Sequence, residues 1–282
     1  EGYAVADTLT PDRLVFGIVR DEDEATLREV YASAIGDGCP VVVTDFATAE
    51  LVKVAANSFL ATKISFINAI AEVCEVVDAD VMALADAIGH DARIGRRFLN
   101  AGLGFGGGCL PKDIRAFMAR AGEIGAADAL AFLREIDAIN MRRRTRAVEV
   151  THEVLGGSVL GARVAVLGVA FKPESDDVRD SPALNVAGQL QLQGAQVRVS
   201  DPKAMANARA VFPTLGYAAS VDEATADADV VLHLTEWSEF AELDPRALAS
   251  QVRTPVVVDG RNCLDAEAWR AAGWTYRGLG RS

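Results

Sequence analysis

From Phe46 to Leu84 the chain has neither proline nor glycine, and its apolar residues recur at helical spacing. Strands do not run to that length, so a long helical segment is the first fixed point of the fold. A second such stretch, charged on one face, runs from Ala126 to Leu155 and stops at Gly156-Gly157-Ser158. On either side the pattern alternates. Leu14–Val19 and Val41–Thr44 are strand-like around a helix-like Glu24–Ala34. Further on, Arg163–Gly168, Gln196–Ser200, Asp229–Leu234 and Pro255–Asp259 are strand-like with helical patterns between them. Ser181-Pro182 opens one of those helices, with serine as N-cap and proline at the first helical position. The chain therefore reads as α/β: a strand–helix–strand segment over 1–46, a helical central domain over 47–154, and a Rossmann-like parallel-sheet domain over 155–282. Only one glycine, Gly168, stands at the first turn of that last domain, so it has the shape of a nucleotide binder without a dinucleotide fingerprint.

Composition narrows the function. A length of 282 residues with 50% apolar content suits about two packed domains. The net charge of −12 excludes an extended basic face, so nucleic acid is not an expected partner. No apolar run reaches the roughly 18 residues of a membrane helix, and no membrane partner is expected. Four cysteines at unrelated spacings give neither a disulfide framework nor a zinc ribbon, and a reducing cytoplasm is the expected location. His90, His152 and His233 are far apart and offer no local metal-ligand spacing, so no metal is expected. Lysine is scarce: of Lys53, Lys63, Lys112, Lys172 and Lys203, all but Lys203 fall inside motifs described next.

Residues 98–113 read Phe-Leu-Asn-Ala-Gly-Leu-Gly-Phe-Gly-Gly-Gly-Cys-Leu-Pro-Lys-Asp. Glycines let the backbone approach a ligand and take positive φ angles, and Cys109 stands at the end of five of them. Cys39, Cys74 and Cys263 have the settings of small core hydrophobes. Cys109 has glycine, proline and charged neighbours, the polar and open setting of a reactive thiol. A buried, inert Cys109 is the competing reading. Gly102-x-Gly104-x-x-Gly107 matches a dinucleotide fingerprint in letters only, because the preceding Ala92–Asn100 is basic and helix-like and no strand leads in.

Further strings stand beside this loop: Glu50-Leu-Val-Lys-Val-Ala-Ala-Asn-Ser-Phe-Leu-Ala-Thr-Lys-Ile-Ser-Phe-Ile-Asn at 50–68, Gly-Val-Ala-Phe-Lys-Pro-Glu-Ser-Asp-Asp-Val-Arg-Asp-Ser-Pro at 168–182, and Asp-Gly-Arg-Asn at 259–262. Taken in order, the four motifs resemble the nucleotide-sugar 6-dehydrogenases of the UDP-glucose/GDP-mannose dehydrogenase family. The resemblance covers essentially the whole chain. It implies that 1–46 is the end of an N-terminal NAD-binding domain, with Glu1-Gly2 closing a Glu-Phe-Leu-x-Glu-Gly string, and that the chain is a fragment. It implies a dimerisation role for the central helices and a UDP-sugar role for the last domain.

The family's chemistry is oxidation of a primary alcohol to an acid by two hydride transfers to NAD. A cysteine captures the intermediate aldehyde as a thiohemiacetal, which becomes a thioester that water cleaves. The resemblance gives that role to Cys109. Lys53 and Asn57, four apart on one helix face, would cradle the oxyanion, and a solvated helix face is the alternative. Asp113 would help activate water, or serve as a helix-start carboxylate, or both. The substrate contacts implied are Lys53, Asn57, Arg93, Phe98, Leu99, Asn100, Gly102, Gly104, Phe105, Gly106, Phe171, Lys172 and Arg261, with Arg93 reaching into a partner subunit of a homodimer. The cofactor contacts implied are Glu1, Cys109 and Arg179. Arginine suits such sites because its planar fork grips phosphate in two places. From its sequence setting alone, each arginine reads equally well as a plain surface residue. Gly108 before the cysteine, rather than histidine, resembles the branch that takes UDP-glucose to UDP-glucuronate. A GDP-mannose 6-dehydrogenase and an inactive UDP-sugar-binding dimer are the alternatives. A cysteine hydrolase is disfavoured because no histidine lies near Cys109 in sequence.

Overall fold

The computed structural model describes residues 4–281. The chain forms two compact units, one ending at Phe59 and one running from Leu60, so the division falls within a helix. The first unit contains α1 (Ala4–Leu9), β1 (Leu14–Gly17), α2 (Asp21–Val30), α3 (Ala32–Gly36), β2 (Val41–Thr44) and the opening of α4 (Phe46–Val77). β1 and β2 pair in parallel, Leu14 against Val41 through Gly17 against Thr44. β1 stops short of the expected Val19. At Gly17 α4 packs down on the strand, where a Cβ would lie 2.8 Å from Ala49 Cβ. The helix-like Glu24–Ala34 is two helices, parted at Tyr31. Asp45 caps α4, its Oδ1 accepting Thr48 N–H at 2.8 Å.

The second unit continues α4 and adds α5 (Val81–Gly89), α6 (Leu110–Glu123), a 3₁₀ turn (Ala127–Leu130) and α7 (Phe132–Val154). The unbroken apolar pattern from Phe46 to Leu84 is thus two helices. Asp78 takes φ 56°, and Asp80 caps α5 by accepting Met82 N–H at 2.7 Å. Aspartates do here what glycine or proline usually does. Ala92–Asn100, read as helix-like, forms turns instead. Its backbone goes left-handed at Gly95 (φ 67°) and Phe98 (φ 66°), and a helix cannot pass through either. The helices bury Ile67, Ala71, Cys74, Val81, Ala85 and Leu99 in one cluster, and Ala61, Phe105, Ile114, Leu133 and Ile136 in another.

The remainder is a sheet wrapped by helices: β3 (Arg163–Leu167), α8 (Pro182–Leu192), β4 (Gln196–Ser200), α9 (Met205–Val211), β5 (Gly216–Tyr217), α10 (Val221–Thr225), β6 (Val230–His233), α11 (Ser238–Ala241), α12 (Pro245–Ala249), β7 (Val256–Asp259), α13 (Ala266–Ala271) and β8 (Thr275–Gly278). All pairings are parallel and the order is β5-β4-β3-β6-β7-β8. That is the doubly wound order, with its switch point between β3 and β6, where ligands of such sheets bind. β6 and β7 are buried along their whole length, as strands covered on both faces must be. Among the described residues no helix is long and apolar enough to cross a membrane.

Candidate active site

Cys109 is exposed and occupies the N-cap position of α6. Its carbonyl accepts the N–H of Asp113 at 2.9 Å, which places that carboxylate in the first helical turn, where the macrodipole favours negative charge. Lys112, beside it, is 73% exposed at the side chain and lies 3.2 Å from Asp113 Oδ1.

The loop leading to the thiol is pinned atom by atom. Asn68 of α4 accepts Gly102 N–H at 2.9 Å, and Arg143 of α7 donates to Gly102 O at 3.2 Å. Leu103 N–H reaches Gly260 O at 2.9 Å. Arg261 Nη1 donates to Gly104 O at 2.9 Å. Asn140 accepts Phe105 N–H at 2.7 Å and returns a hydrogen bond to Phe105 O at 3.0 Å. Gly107 N–H donates to Arg179 O at 2.9 Å. A loop tied at five of its residues to α4, α7 and the segments of Arg179 and Arg261 has little freedom to shift.

The second wall is the segment after β3. Gly168 takes φ 90° with Thr235 pressed against it. Asp201, at the end of β4, is 6% exposed and is consumed by this turn: Oδ2 accepts Val169 and Ala170 N–H at 2.8 and 3.0 Å and Trp237 Nε1–H at 3.3 Å. Its Oδ1 accepts Lys203 and Ala204 N–H at 2.9 and 2.8 Å. A carboxylate at this place grips a ribose in dinucleotide folds. Here it is spent on the protein's own backbone, so the residues of this sheet do not fit NAD. Ser181 caps α8, accepting Leu184 N–H at 3.2 Å and donating to Val169 O at 2.7 Å.

Three consecutive glycines face this segment. A Cβ on Gly107 would lie 2.6 Å from the Phe171 ring, and one on Gly108 would lie 2.7 Å from Arg179 Cζ. Lys172 Nζ stands 5.7 Å from the Phe171 ring centroid. Arg144, 3% exposed, joins the two segments by donating to Asp180 Oδ1 at 2.7 Å and Phe105 O at 3.4 Å. Asp180 itself holds φ 46°, a left-handed backbone. Arg261 also donates to Leu234 O at 2.9 Å and Phe171 O at 3.4 Å, and pairs with Glu236 at 3.1 Å.

The structure thus gathers Gly102, Gly104, Phe105, Gly106, Cys109, Asp113, Phe171, Lys172, Arg179 and Arg261. Phe105 and Leu99 are core side chains, 7% and 1% exposed. Phe98 and Asn100 are exposed beside Leu99. Arg93 is 89% exposed, with its N–H and guanidinium both held by Asp91, which keeps that carboxylate below its ordinary range. Lys63 secures this turn by donating to Ile94 O and Gly95 O at 2.9 and 3.0 Å. Lys53 and Asn57 belong to the first unit, on one face of α4, with Lys53 Nζ donating to Asn57 Oδ1 at 3.3 Å. Glu1 lies outside the described residues.

Cys263 departs from the expected core setting and is exposed. Folding also brings His233, Asp259 and Cys263 within 4.8 Å of one another at their ligand atoms. Both Asp259 oxygens are already engaged, Oδ1 by His233 Nδ1 and Arg261 N–H, Oδ2 by Leu264 N–H and Tyr276 O–H. The residue reaches the surface, but desolvation of its sulfur beside His233, together with the Asp259 and Glu236 charges, pushes the Cys263 thiol far up. The cluster forms a hydrogen-bonded hub. Asn68, Asn140, Arg143, Arg144 and Asp201 are the supports that motif reading missed. Asn140, Arg143 and Arg144 share a buried face of α7, and two arginines amid buried positions were the available signal. Burial pulls the Arg143 guanidinium's pKa down, against Glu75 and Glu72.

A cysteine-bearing helical segment fixed to a doubly wound nucleotide-type sheet is the class this geometry defines. Comparison with known proteins gives the family. Residues 47–142 match the UDP-glucose/GDP-mannose dehydrogenase family's central domain, and residues 165–266 its UDP binding domain. The chain belongs to that family. It is 41% identical over its whole length to the UDP-glucose 6-dehydrogenase TuaD of Bacillus subtilis, covering 60% of that protein. It is also 41% identical to the UDP-glucose 6-dehydrogenase of Rickettsia prowazekii, with 99% of this chain aligned over 64% of that one. A solved UDP-glucose dehydrogenase from Pyrobaculum islandicum superposes with TM-score 0.88 at 36% identity, over 99% of this chain and 61% of that one. The chain thus spans less than two thirds of the length of these relatives.

Proposed function

We propose that this chain supplies the thiol and the nucleotide-sugar site of an NAD-dependent UDP-glucose 6-dehydrogenase. The observation that carries this reading is the exposed Cys109 at the head of α6, after a glycine loop hydrogen-bonded at Gly102, Leu103, Gly104, Phe105 and Gly107. NAD, when bound, is the oxidant for both steps. Its binding surface is not the sheet described above, and Arg179 is the described side chain proposed to reach it.

Cys109 Sγ adds to the carbonyl carbon of the C6 aldehyde as the C=O π bond opens and the thiol proton passes to the carbonyl oxygen, so the aldehyde cannot escape between the oxidations. Lys53 and Asn57 offer an ammonium and an amide to the developing oxyanion. After the adduct is oxidised to a thioester, Asp113 takes a proton from water, water adds to the acyl carbon, and the thiol departs from the acid. Phe171, Lys172 and Arg261 hold the nucleotide sugar at the sheet's switch point, with the loop from Phe98 to Gly106 lining the sugar side. A free thiol of this kind belongs in a reducing cytoplasm.

The active form is a homodimer in this proposal. Phe59, Phe66 and Val73 recur every seven residues along α4 and are 65%, 48% and 56% exposed, an apolar stripe suited to a second copy. Arg93, held outward by Asp91, would complete the partner's site.

The test uses a polypeptide of the relatives' full length. Cys109→Ser should abolish UDP-glucuronate formation and leave UDP-glucose affinity within about twofold, whereas turnover at the parent rate would refute the covalent route. Calorimetry on the present chain should show UDP-glucose binding.

A further inference from the structure

Gly108 is unlike its neighbours. It is absent from the glycines with positive φ, so its backbone would accept any L-residue. A Cβ on Gly106 would strike the backbone of Asp180, and one on Gly107 the Phe171 ring. At Gly108 the three atoms nearest a Cβ would all belong to one guanidinium, 2.7 Å away at Arg179 Cζ and 2.9 Å at both Nη1 and Nη2. The guanidinium therefore lies flat on the residue before Cys109. Asp177 orients it from the other side, accepting from Nε at 3.0 Å and from Nη2 at 2.6 Å. Arg179 N–H also bonds Asp177 Oδ1 at 2.8 Å, which fixes the stem.

We propose that Gly108 is a positioning residue for Arg179: its missing side chain seats the guanidinium against the cysteine loop, so that a cation borders the thiol and draws anionic groups to it. The inference rests on Cys109 being the site's nucleophile and adds an electrostatic selectivity to it. Chain conformation gives no reason for a glycine at 108, whereas the seat for Arg179 does.

Two alkylating reagents of similar size, iodoacetate and iodoacetamide, differ in charge and test this on the present chain. In each case the sulfur–carbon bond forms, iodide leaves and the thiol proton passes to buffer. The rates at Cys109 are read by peptide mass spectrometry, with Cys39 as internal reference. Arg179→Ala should lower the iodoacetate-to-iodoacetamide ratio at Cys109 about threefold at low salt. Gly108→Ala, which pushes the guanidinium aside, should lower it by a similar factor. The double variant should fall no further than either single one. An unchanged ratio in Arg179→Ala overturns the electrostatic role. A fall in Arg179→Ala with none in Gly108→Ala, or additive losses in the double variant, overturns the seat. Failure of the parent Cys109 to react with either reagent would instead sink the nucleophile reading beneath it.

Discussion

Asn140 holds both polar backbone atoms of Phe105, accepting its N–H at 2.7 Å and donating to its carbonyl at 3.0 Å, with none of the asparagine exposed. A helix of the central domain thereby imitates a strand partner for the loop that leads to Cys109. Asn140→Ala leaves a buried donor without a partner and weakens the acceptor. We expect a loss of about 2–4 kcal/mol in urea unfolding. Asn140→Asp keeps the acceptor but sets a buried carboxylate oxygen against Phe105 O, and should lose at least as much.

Lys63 ties Ile94 O and Gly95 O to α4. Lys63→Met retains most of the aliphatic stem and removes both hydrogen bonds. Hydrogen exchange in residues 91–99 should quicken at least tenfold, while the amides of β3 and β6 keep their protection. Unchanged exchange there would show that the turn is held by Arg96 alone, which bonds Leu99 O and Asn100 Oδ1.

Asp201 gathers the N–H groups of Val169, Ala170, Lys203 and Ala204 and the indole of Trp237. Asp201→Asn turns an amide NH₂ toward donors that need an acceptor. A destabilisation of about 2–4 kcal/mol is expected, with a red shift in tryptophan emission as the buried Trp237 loses its partner.

Asp259 gives stability a defined acid limit. Burial acts to raise its pKa, but the hydrogen bond from His233 and the N–H groups of Leu264 and Arg261 outweigh it and hold the carboxyl below its ordinary value. A carboxyl depressed in the folded state stabilises fully above its unfolded pKa of about 4, and that contribution disappears as pH falls through the folded value. The urea midpoint should therefore drop steeply below about pH 4. Asp259→Asn should lower the midpoint at pH 7 and flatten the acid limb.

Alternation of strand and helix patterns foretold the sheet, because β3, β6 and β7 are apolar runs and β4 sets Val197 and Val199 at strand spacing. β5 and β8 escaped notice: one has two residues, and the other alternates exposed and buried positions. Glycines and a cysteine at close spacing revealed the thiol loop, since their chemistry is local. Its supports were invisible for the opposite reason. Asn68 and Asn140 are ordinary helix residues until folding sets them 2.9 and 2.7 Å from the loop's amides. The break before α5 and the turns around Gly95 escape motif reading because a hydrogen bond accepted by Asp80 and one donated by Lys63, rather than proline, decide them.

Arg261, a residue of the sheet's rim, clasps Gly104 O on the helical side while bonding Leu234 and Phe171. The family's two domain boundaries fall on opposite sides of residues 143–164, yet neither piece owns the loop. An expression vector cut in that gap would separate the cysteine loop from Arg261, Gly260 and Arg179, which bond it. Anyone wishing to transplant the thiol into another scaffold must carry both halves of its cradle along.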